Sequence, residues 1–123
     1  MMNDIIKNAI NLMKEEYNSK PEDILIGVSP LMCKKCYEIQ DDYLEHFRDY
    51  PNAFIYQDNK KYFDSKYVLM AKLLDLNIQE EHIEFINECT YCLKDKYFSY
   101  RRDQYGCLPD DRNAMIAIFG IKN

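Results

Sequence analysis

Amphipathic helical patterns alternate along this chain with short apolar runs, which limits it to folds in which helices pack on a sheet. Near the start, Ile6, Ile10 and Met13 recur at steps of three and four residues, as on one face of a helix. The runs "DILIGV" and "HIEFI" are short and rich in isoleucine, which is typical of buried strands. A chain of 123 residues suffices for one hydrophobic core. We therefore predict one α+β domain with a mixed sheet, about three helices packed on it and about five or six strands.

Capping and turn residues divide the rest of the chain into further elements. Asn3 can cap the first helix, and Asp64 or Ser65 can cap a later one. The segment "AFIYQDNKKYF" places two aromatic-rich stretches around the polar turn Gln57–Lys60, which predicts a hairpin. The remaining predicted elements are a helix from about Glu38 to Tyr50 stopped by Pro51, the end of the third helix near Asn77, and strands at "YFSYR" and "NAMIAIFGI".

The charge and composition argue against several classes of function. The formal net charge is -5 and the pI is near 5.0, so the overall field repels nucleic acid and anionic membrane surfaces. No apolar run has the length of a membrane span, and the start "MMNDIIKN" does not resemble a secretory signal. The cysteine count is five, and an odd number without an export signal favours reduced thiols. We expect a cytoplasmic protein that binds neither nucleic acid nor membrane.

Two C-x-x-C pairs, Cys33/Cys36 and Cys89/Cys92, admit three interpretations. One is a zinc site formed by all four, although such sites usually have roughly fifteen to twenty residues between their pairs and here a hairpin and two helices intervene. A second is a redox pair at Cys33 and Cys36, where two lysines and a following helix would favour thiolate. The third is a purely structural role as small buried side chains.

The segment "YFSYRRDQYG" interleaves aromatic side chains with arginines. Alternation of Phe98 and Tyr100 with Ser99 and Arg101 is what a strand with one packed and one polar face produces. The functional interpretation is that two or three arginines face a cleft, where they would clamp a phosphate or a carboxylate bidentately.

Taken together, these segments resemble one known family along almost the whole chain. "EDILIGVSPLMCKKCYEI" is similar to its Ile-Gly-Pro-Ser-Ile turn followed by Cys-Tyr-Glu-Val, and "ECTYCLKDKYFSYRRD" is similar to its Cys-Thr-Tyr-Cys and Phe-Phe-Ser-Tyr-Arg-Arg signature. "DDRNAMIAIFGI" is similar to its closing Gly-Arg-x-Ala strand. The family is the laccase-domain proteins, or multicopper polyphenol oxidases, which resemble purine nucleoside phosphorylases with adenosine deaminase activity. The resemblance implies a cysteine-hydrolase-like fold, zinc or copper as the family's metal, and a purine nucleoside and phosphate as its ligands.

The resemblance also implies which side chains would line the site. Cys36, Tyr37 and Glu38 would sit at a turn that faces the cleft, and the cationic groups after the second cysteine pair would hold a phosphate or orient a nucleoside. The two cysteine pairs would then belong to two separate motifs and bind no metal. Cys33 occupies a position that the family pattern does not require. Cys107 lies in a loop that varies within the family. The alternative is structural, with the arginines paired to acidic neighbours. The substrate-side residues of the second motif are Tyr100, Arg101, Arg102 and Arg112, and their alternative partners are Glu88, Asp95 and Asp103.

The matching segments correspond to the second half of the family fold. The first half carries a His-x-Asp-Cys and a His-Ala-Gly-Trp-Arg-Gly segment whose two histidines and cysteine bind the metal, and neither segment occurs here. We expect residues 1–123 to form a partial laccase-like domain that supplies the substrate-side wall and leaves zinc or copper to the missing half. Its partner would be a separate chain with that half, or a second copy paired through the exposed sheet or the Ile5/Ile6/Ile10 helix. The alternatives are a non-catalytic self-associating module and a cysteine-based zinc or redox protein.

Overall fold

The computed structural model describes residues 4–103, and these fold into four helices and four short strands connected by turns. Three short 3-10 turns precede β1, β2 and β4. Parallel and antiparallel pairing both occur, in two separate two-stranded sheets. In chain order the elements are α1 (Ile5–Tyr17), β1 (Ile26–Val28), α2 (Asp41–His46), β2 (Phe54–Gln57), β3 (Lys60–Phe63), α3 (Ser65–Asp75), β4 (Ile83–Phe85) and α4 (Tyr100–Asp103).

β1 and β4 form a parallel pair, with Ile26 opposite Ile83 and Val28 opposite Phe85. Parallel neighbours need a long crossover connection, and here it contains α2, the hairpin and α3. The pairing continues beyond the strands through a parallel bridge between Leu31 and Cys89. The segments that follow the two strands therefore leave the sheet side by side.

β2 and β3 form the predicted hairpin, with Phe54 opposite Phe63. The two turn residues, Asp58 and Asn59, have φ values of 52° and 60°. Positive φ at both central residues is the type I′ geometry, whose twist matches that of paired strands. Residues 37–39 lie along the free edge of β3, because the amide of Ile39 donates to the carbonyl of Lys61 at 2.9 Å.

Two clusters of buried side chains hold these elements together. The aromatic cluster surrounds Phe63, which is fully buried and lies 4.8 Å, centroid to centroid, from the ring of Phe47. The aliphatic cluster joins Ile10 of α1 to Leu73 of α3. The other buried members are Ile39, Ala53 and Val68 in the first cluster and Ile24 and Ile78 in the second.

The α+β class, the hairpin, the strands within "DILIGV" and "HIEFI", and the helix capped by Asp64 are confirmed. Asp64 accepts a hydrogen bond from the amide of Tyr67 at 3.1 Å. The helix predicted from about Glu38 to Tyr50 is shorter, because residues 37–39 pair with β3 before α2 begins at Asp41. No helix among residues 4–103 is long and apolar enough to cross a membrane.

The predicted strand at "YFSYR" is wrong, because this segment enters α4. The amide of Ser99 donates to the Asp103 carboxylate at 3.0 Å and the amide of Asp103 donates to the Ser99 carbonyl at 2.8 Å. These reciprocal bonds satisfy groups at the start of a helix, and they override the aromatic alternation. The strand predicted at "NAMIAIFGI" lies outside the described residues.

Candidate functional site

The two cysteine pairs lie in the segments that follow β1 and β4. The carboxyl ends of parallel strands meet at one edge of a sheet, so these two segments start next to each other. The amide of Thr90 donates to the carbonyl of Leu31 at 3.2 Å, which fixes the second segment against the first. Each C-x-x-C is itself a turn, since the amide of Cys36 donates to the carbonyl of Cys33 at 2.9 Å.

The four thiols consequently meet at one point. Their sulfur atoms all lie within 4.8 Å of one another. The Sγ atom of Cys36 is 3.5 Å from that of Cys33 and 3.4 Å from that of Cys92, and the Cys33 and Cys92 sulfurs are 4.0 Å apart. Two pairs that the family pattern assigns to separate motifs are therefore one cluster in space, as the four-cysteine alternative required.

Backbone amides distinguish one sulfur from the others. The Sγ atom of Cys89 accepts the amide N–H of Cys33 at 3.2 Å and that of Cys92 at 3.4 Å. Burial raises the pKa of Cys89, but these donors outweigh it and lower the pKa to about 6. Burial and hydrogen bonds to its neighbours raise the pKa of Cys36 instead. The amide donors thus favour the thiolate form of Cys89, whereas burial and the neighbouring thiols favour the protonated form of Cys36.

Tyr37 and Glu38, which follow the first cysteine pair, lie together with Arg101 on one side of a groove. The guanidinium of Arg101 lies over the ring of Tyr37, 5.1 Å from its centroid, and donates to the carbonyl of Glu38. Burial, with a hydrogen bond to the Tyr43 hydroxyl at 3.2 Å, raises the pKa of Tyr37 to about 12, so the phenol stays neutral. Glu38, Tyr43 and Arg101 line a groove of about 380 Å³. The structure therefore brings Tyr37, Glu38 and Arg101 together, and Tyr43 joins them.

The side chain of Arg102 does not face this groove and instead contacts the second cysteine loop, which contains Cys89 and Cys92. Its guanidinium donates to the carbonyl of Thr90 at 2.8 Å and to that of Tyr97 at 2.6 Å. It also pairs with Asp103 at 2.6 Å, and this pairing and the amide of Ser99 lower the pKa of Asp103 to about 2. Arg102 therefore matches the structural alternative, in which an arginine pairs with Asp103.

Of the remaining predicted site residues, one has an exposed side chain and the other lies outside the described part of the chain. The side chain of Tyr100 is exposed, whereas Arg112 and Cys107 lie outside the described residues. Of the acidic partners proposed for the arginines, Glu88 instead pairs with Lys96 at 2.7 Å. No sequence signal pointed to Gln40, which also lines the groove, because a glutamine before a helix has many possible roles.

Comparison with known proteins matches residues 1–109 to the family described as multi-copper polyphenol oxidoreductase laccase. A purine nucleoside phosphorylase from Clostridium acetobutylicum is 35% identical over 103 residues, which cover 80% of this chain and 42% of that protein. A purine nucleoside phosphorylase from Haemophilus influenzae is 31% identical over 93 residues, which cover 71% of this chain and 38% of that protein. The chain therefore spans about two fifths of the length of these relatives.

Two solved structures have a similar fold. The Bacillus licheniformis hypothetical protein YfiH has a TM-score of 0.71 and 26% identity, over 79% of this chain and 39% of that one. YlmD from Geobacillus stearothermophilus has a TM-score of 0.75 and 24% identity, over 84% of this chain and 40% of that one, which supports the fold alone.

An electron-transferring copper centre does not fit the described residues. Blue-copper centres use two imidazole nitrogens with a cysteine, whereas an all-thiolate site suits Zn²⁺, iron–sulfur clusters or Cu(I). Among residues 4–103, the ligand-type side chains that come together in groups of three or more are the four cysteines, without a histidine. The described residues therefore provide no copper centre for an electron-transfer step.

Proposed function

Because this chain belongs to the multi-copper polyphenol oxidoreductase laccase family, we propose that it forms one wall of a purine nucleoside site. The rest of that site would come from the portion of the family fold that these residues do not match. Two relatives that are 35% and 31% identical bear the name purine nucleoside phosphorylase, and this chain covers 42% and 38% of their lengths. The proposed reaction class is phosphorolysis of a purine nucleoside.

The observation that carries the proposal is the placement of Arg101 at the groove. It stacks on Tyr37, and among residues 4–103 it has no carboxylate within ion-pair distance. An arginine that is not neutralised and is held in place by an aromatic ring suits binding of an oxyanion, because its planar fork matches phosphate geometry. Arg102 is already committed to carbonyls and to Asp103, so Arg101 is the better candidate of the two.

In this proposal Arg101 holds the phosphate in a groove whose lining also contains the carboxylates of Glu38 and Asp42. A phosphate oxygen forms a bond to C1′ of the nucleoside as the bond from C1′ to the purine nitrogen breaks. The electron pair of the broken bond leaves with the purine, which takes up a proton from solvent. Tyr37, whose pKa is raised to about 12, adds no negative charge beside the phosphate. Holding both reactants in one groove makes the reaction effectively unimolecular.

The test supplies the unmatched portion of the fold in trans. This chain is co-expressed with the part of the Clostridium acetobutylicum relative that it does not match, and the purified complex is assayed for ribose 1-phosphate from inosine or adenosine and phosphate. We expect turnover by the complex and none by the chain alone. A complex that forms but does not phosphorolyse either nucleoside would contradict the proposal, and so would full activity of the isolated chain.

A second candidate, a self-associating module, is favoured by exposed apolar side chains. Ile5, Tyr17 and Leu25 are 66%, 80% and 76% exposed. The predicted pairing face on α1 needs correction, since Ile10 is only 3% exposed and packs in the aliphatic cluster. A second copy would instead cover Leu25 beside β1. Light scattering decides this: a concentration-dependent dimer supports the candidate, and a monomer at high concentration contradicts it.

A further inference from the structure

We propose that Cys33, Cys36, Cys89 and Cys92 together bind one Zn²⁺ ion in a closed, tetrahedral, structural site. The proposal is independent of nucleoside phosphorolysis and would stand if that activity were absent. It concerns residues of this chain alone, and all four lie within the described part of the structure.

The spacing of the sulfur atoms is that of a tetrahedral thiolate site. A zinc–sulfur bond of about 2.3 Å places the four sulfurs of a regular tetrahedron about 3.8 Å apart. Three of the six separations are 3.4, 3.5 and 4.0 Å, on both sides of that value, and all six are within 4.8 Å. A disulfide would require two of the sulfurs at about 2.05 Å, which would draw that pair away from the other two. An ion at the centre requires only small shifts of each side chain.

The backbone around the cluster already provides the hydrogen bonds that a bound thiolate needs. The Cys89 sulfur accepts two amide N–H groups, from Cys33 and Cys92, so a ligand of each pair also orients the sulfur of Cys89. Such contacts stabilise the negative charge of a metal-bound sulfur and fix its direction. Backbone hydrogen bonds, in the Leu31–Cys89 bridge and the C-x-x-C turns, also hold the two loops.

Nearby positive charge offsets the excess negative charge of the site. Four thiolates around one Zn²⁺ carry a net charge of about −2. Lys34 and Lys35 lie between the first two ligands, and the guanidinium of Arg102 donates to the carbonyls of Thr90 and Tyr91 between the second two. Each C-x-x-C loop therefore contains or contacts at least one cationic side chain. Exposure of Cys92 leaves a route by which the ion can enter.

The role of the ion would be to lock together two segments that are far apart in the chain. With four protein ligands no coordination position remains open for water or substrate, which is the property of structural zinc sites. Cys36 immediately precedes Tyr37 and Glu38, so a bound ion would also fix the position of these two residues beside the groove. An ion held here would thus position the wall without contacting the substrate.

The test measures metal content and ligand identity on the intact chain. The protein is purified without a metal-affinity tag under reducing conditions, and zinc and iron are quantified by mass spectrometry. We expect about one equivalent of zinc per chain, and a Cys36→Ser or Cys92→Ser variant that holds less than about a tenth of it. Cys107→Ser is the matched control and should keep the wild-type content, because this cysteine is not one of the four ligands.

A second measurement covers the case in which the ligand variants do not fold. Wild-type protein stripped by a chelator is titrated with Co²⁺, and the intense visible absorption of a tetrahedral cobalt–thiolate complex should saturate at about one equivalent. Displacement by Zn²⁺ should abolish that absorption. Absence of both zinc and the cobalt spectrum, with all five cysteines titrating as free thiols or with disulfides among the four proposed ligands, would overturn the proposal. Iron in place of zinc would overturn the assignment of the ion.

Discussion

Arg101 and Arg102 are neighbours in the chain, but their guanidinium groups make different kinds of contact. Arg102 donates to the carbonyls of Thr90 and Tyr97 and pairs with Asp103, so its role is to hold one loop. Arg101 is exposed at the groove and stacks on Tyr37. Of these two consecutive arginines, Arg102 therefore fixes the second cysteine loop and Arg101 faces the groove.

Replacing each arginine by lysine separates these two roles. We expect Arg102→Lys to lower the urea midpoint of unfolding, because one ammonium cannot reproduce a planar fork that contacts three carbonyls and a carboxylate. Arg101→Lys should leave the midpoint unchanged and lower phosphorolysis by the co-expressed complex about 10- to 100-fold, the range for one lost charge-assisted hydrogen bond. Arg48→Lys on the exposed surface is the control for both measurements. Equal loss of activity in the Arg101 and Arg48 variants would remove Arg101 from the site.

Phe63 is the side chain on which the aromatic cluster depends. It is 0% exposed and its ring lies 5.5 Å from that of Tyr37 and 5.6 Å from that of Tyr43. We expect Phe63→Ala to lower the free energy of unfolding by about 3–5 kcal/mol, because a buried ring is lost and a cavity remains. Tyr56→Ala on the same hairpin, where the side chain is 67% exposed, should change it by less than about 0.5 kcal/mol. Urea denaturation of the two variants measures both values.

At the scale of elements, the hairpin turn depends on a left-handed backbone at Asn59. With φ at 60°, an alanine there would place its Cβ in a strained position, whereas asparagine and glycine tolerate the conformation. We expect Asn59→Ala to destabilise the protein by about 1 kcal/mol and Asn59→Gly to stay close to wild type. Urea midpoints compare the two, and equal midpoints for the alanine and glycine variants would contradict the type I′ assignment.

The first turn of α4 should depend on pH through Asp103. Its pKa is lowered from an ordinary 3.8 to about 2 by Arg102 and by the amide of Ser99. A lowered folded-state pKa stabilises the fold above the unfolded value, and this contribution disappears as the pH falls from about 4 toward 2. The difference in melting temperature between wild type and Asp103→Asn should therefore be full at about pH 5 and shrink below about pH 4.

The control for this pH dependence is Asp95→Asn, at an exposed position earlier in the same connecting segment. Its melting curve should follow that of the wild type over the same pH range. If the difference between wild type and Asp103→Asn did not change with pH, the carboxylate would not be held by Arg102 in solution.

Elements with local signals were predictable from sequence, whereas the cysteine cluster could be stated only as one of three interpretations of the two pairs. The polar turn with aromatic flanks predicted β2 and β3, and Asp64 predicted the start of α3, because each signal acts over a few residues. The strand predicted at "YFSYR" is wrong because the bonds between Ser99 and Asp103 outweigh the aromatic alternation. The long separation of the two pairs, with a hairpin and two helices between them, argued against the four-cysteine interpretation without excluding it. Parallel pairing of β1 and β4 removes that distance.

At the scale of the whole molecule, the parallel pair is incomplete within the described residues. A parallel sheet normally has both faces covered, and its strands are then apolar throughout. The "DILIGV" run has that composition, yet within residues 4–103 β1 has β4 as its one neighbour and Leu25 is 76% exposed. The sequence is thus suited to a larger sheet than these residues build. This agrees with a chain that covers about two fifths of the length of its relatives.

Leu25 should therefore lie at the contact with the remaining portion of the family fold. Burying a leucine side chain contributes about 1.5–3 kcal/mol, so Leu25→Asp should weaken the complex with the unmatched part of the Clostridium acetobutylicum relative by about 10- to 100-fold or more. Calorimetric titration measures the Kd, and an unchanged urea midpoint of the free variant shows that its own fold is intact. Tyr56→Asp, on the exposed hairpin, should bind like wild type. If both substitutions weakened binding equally, the interface would not be specific to the β1 side of the sheet, and completion of that sheet could not be what joins the two parts.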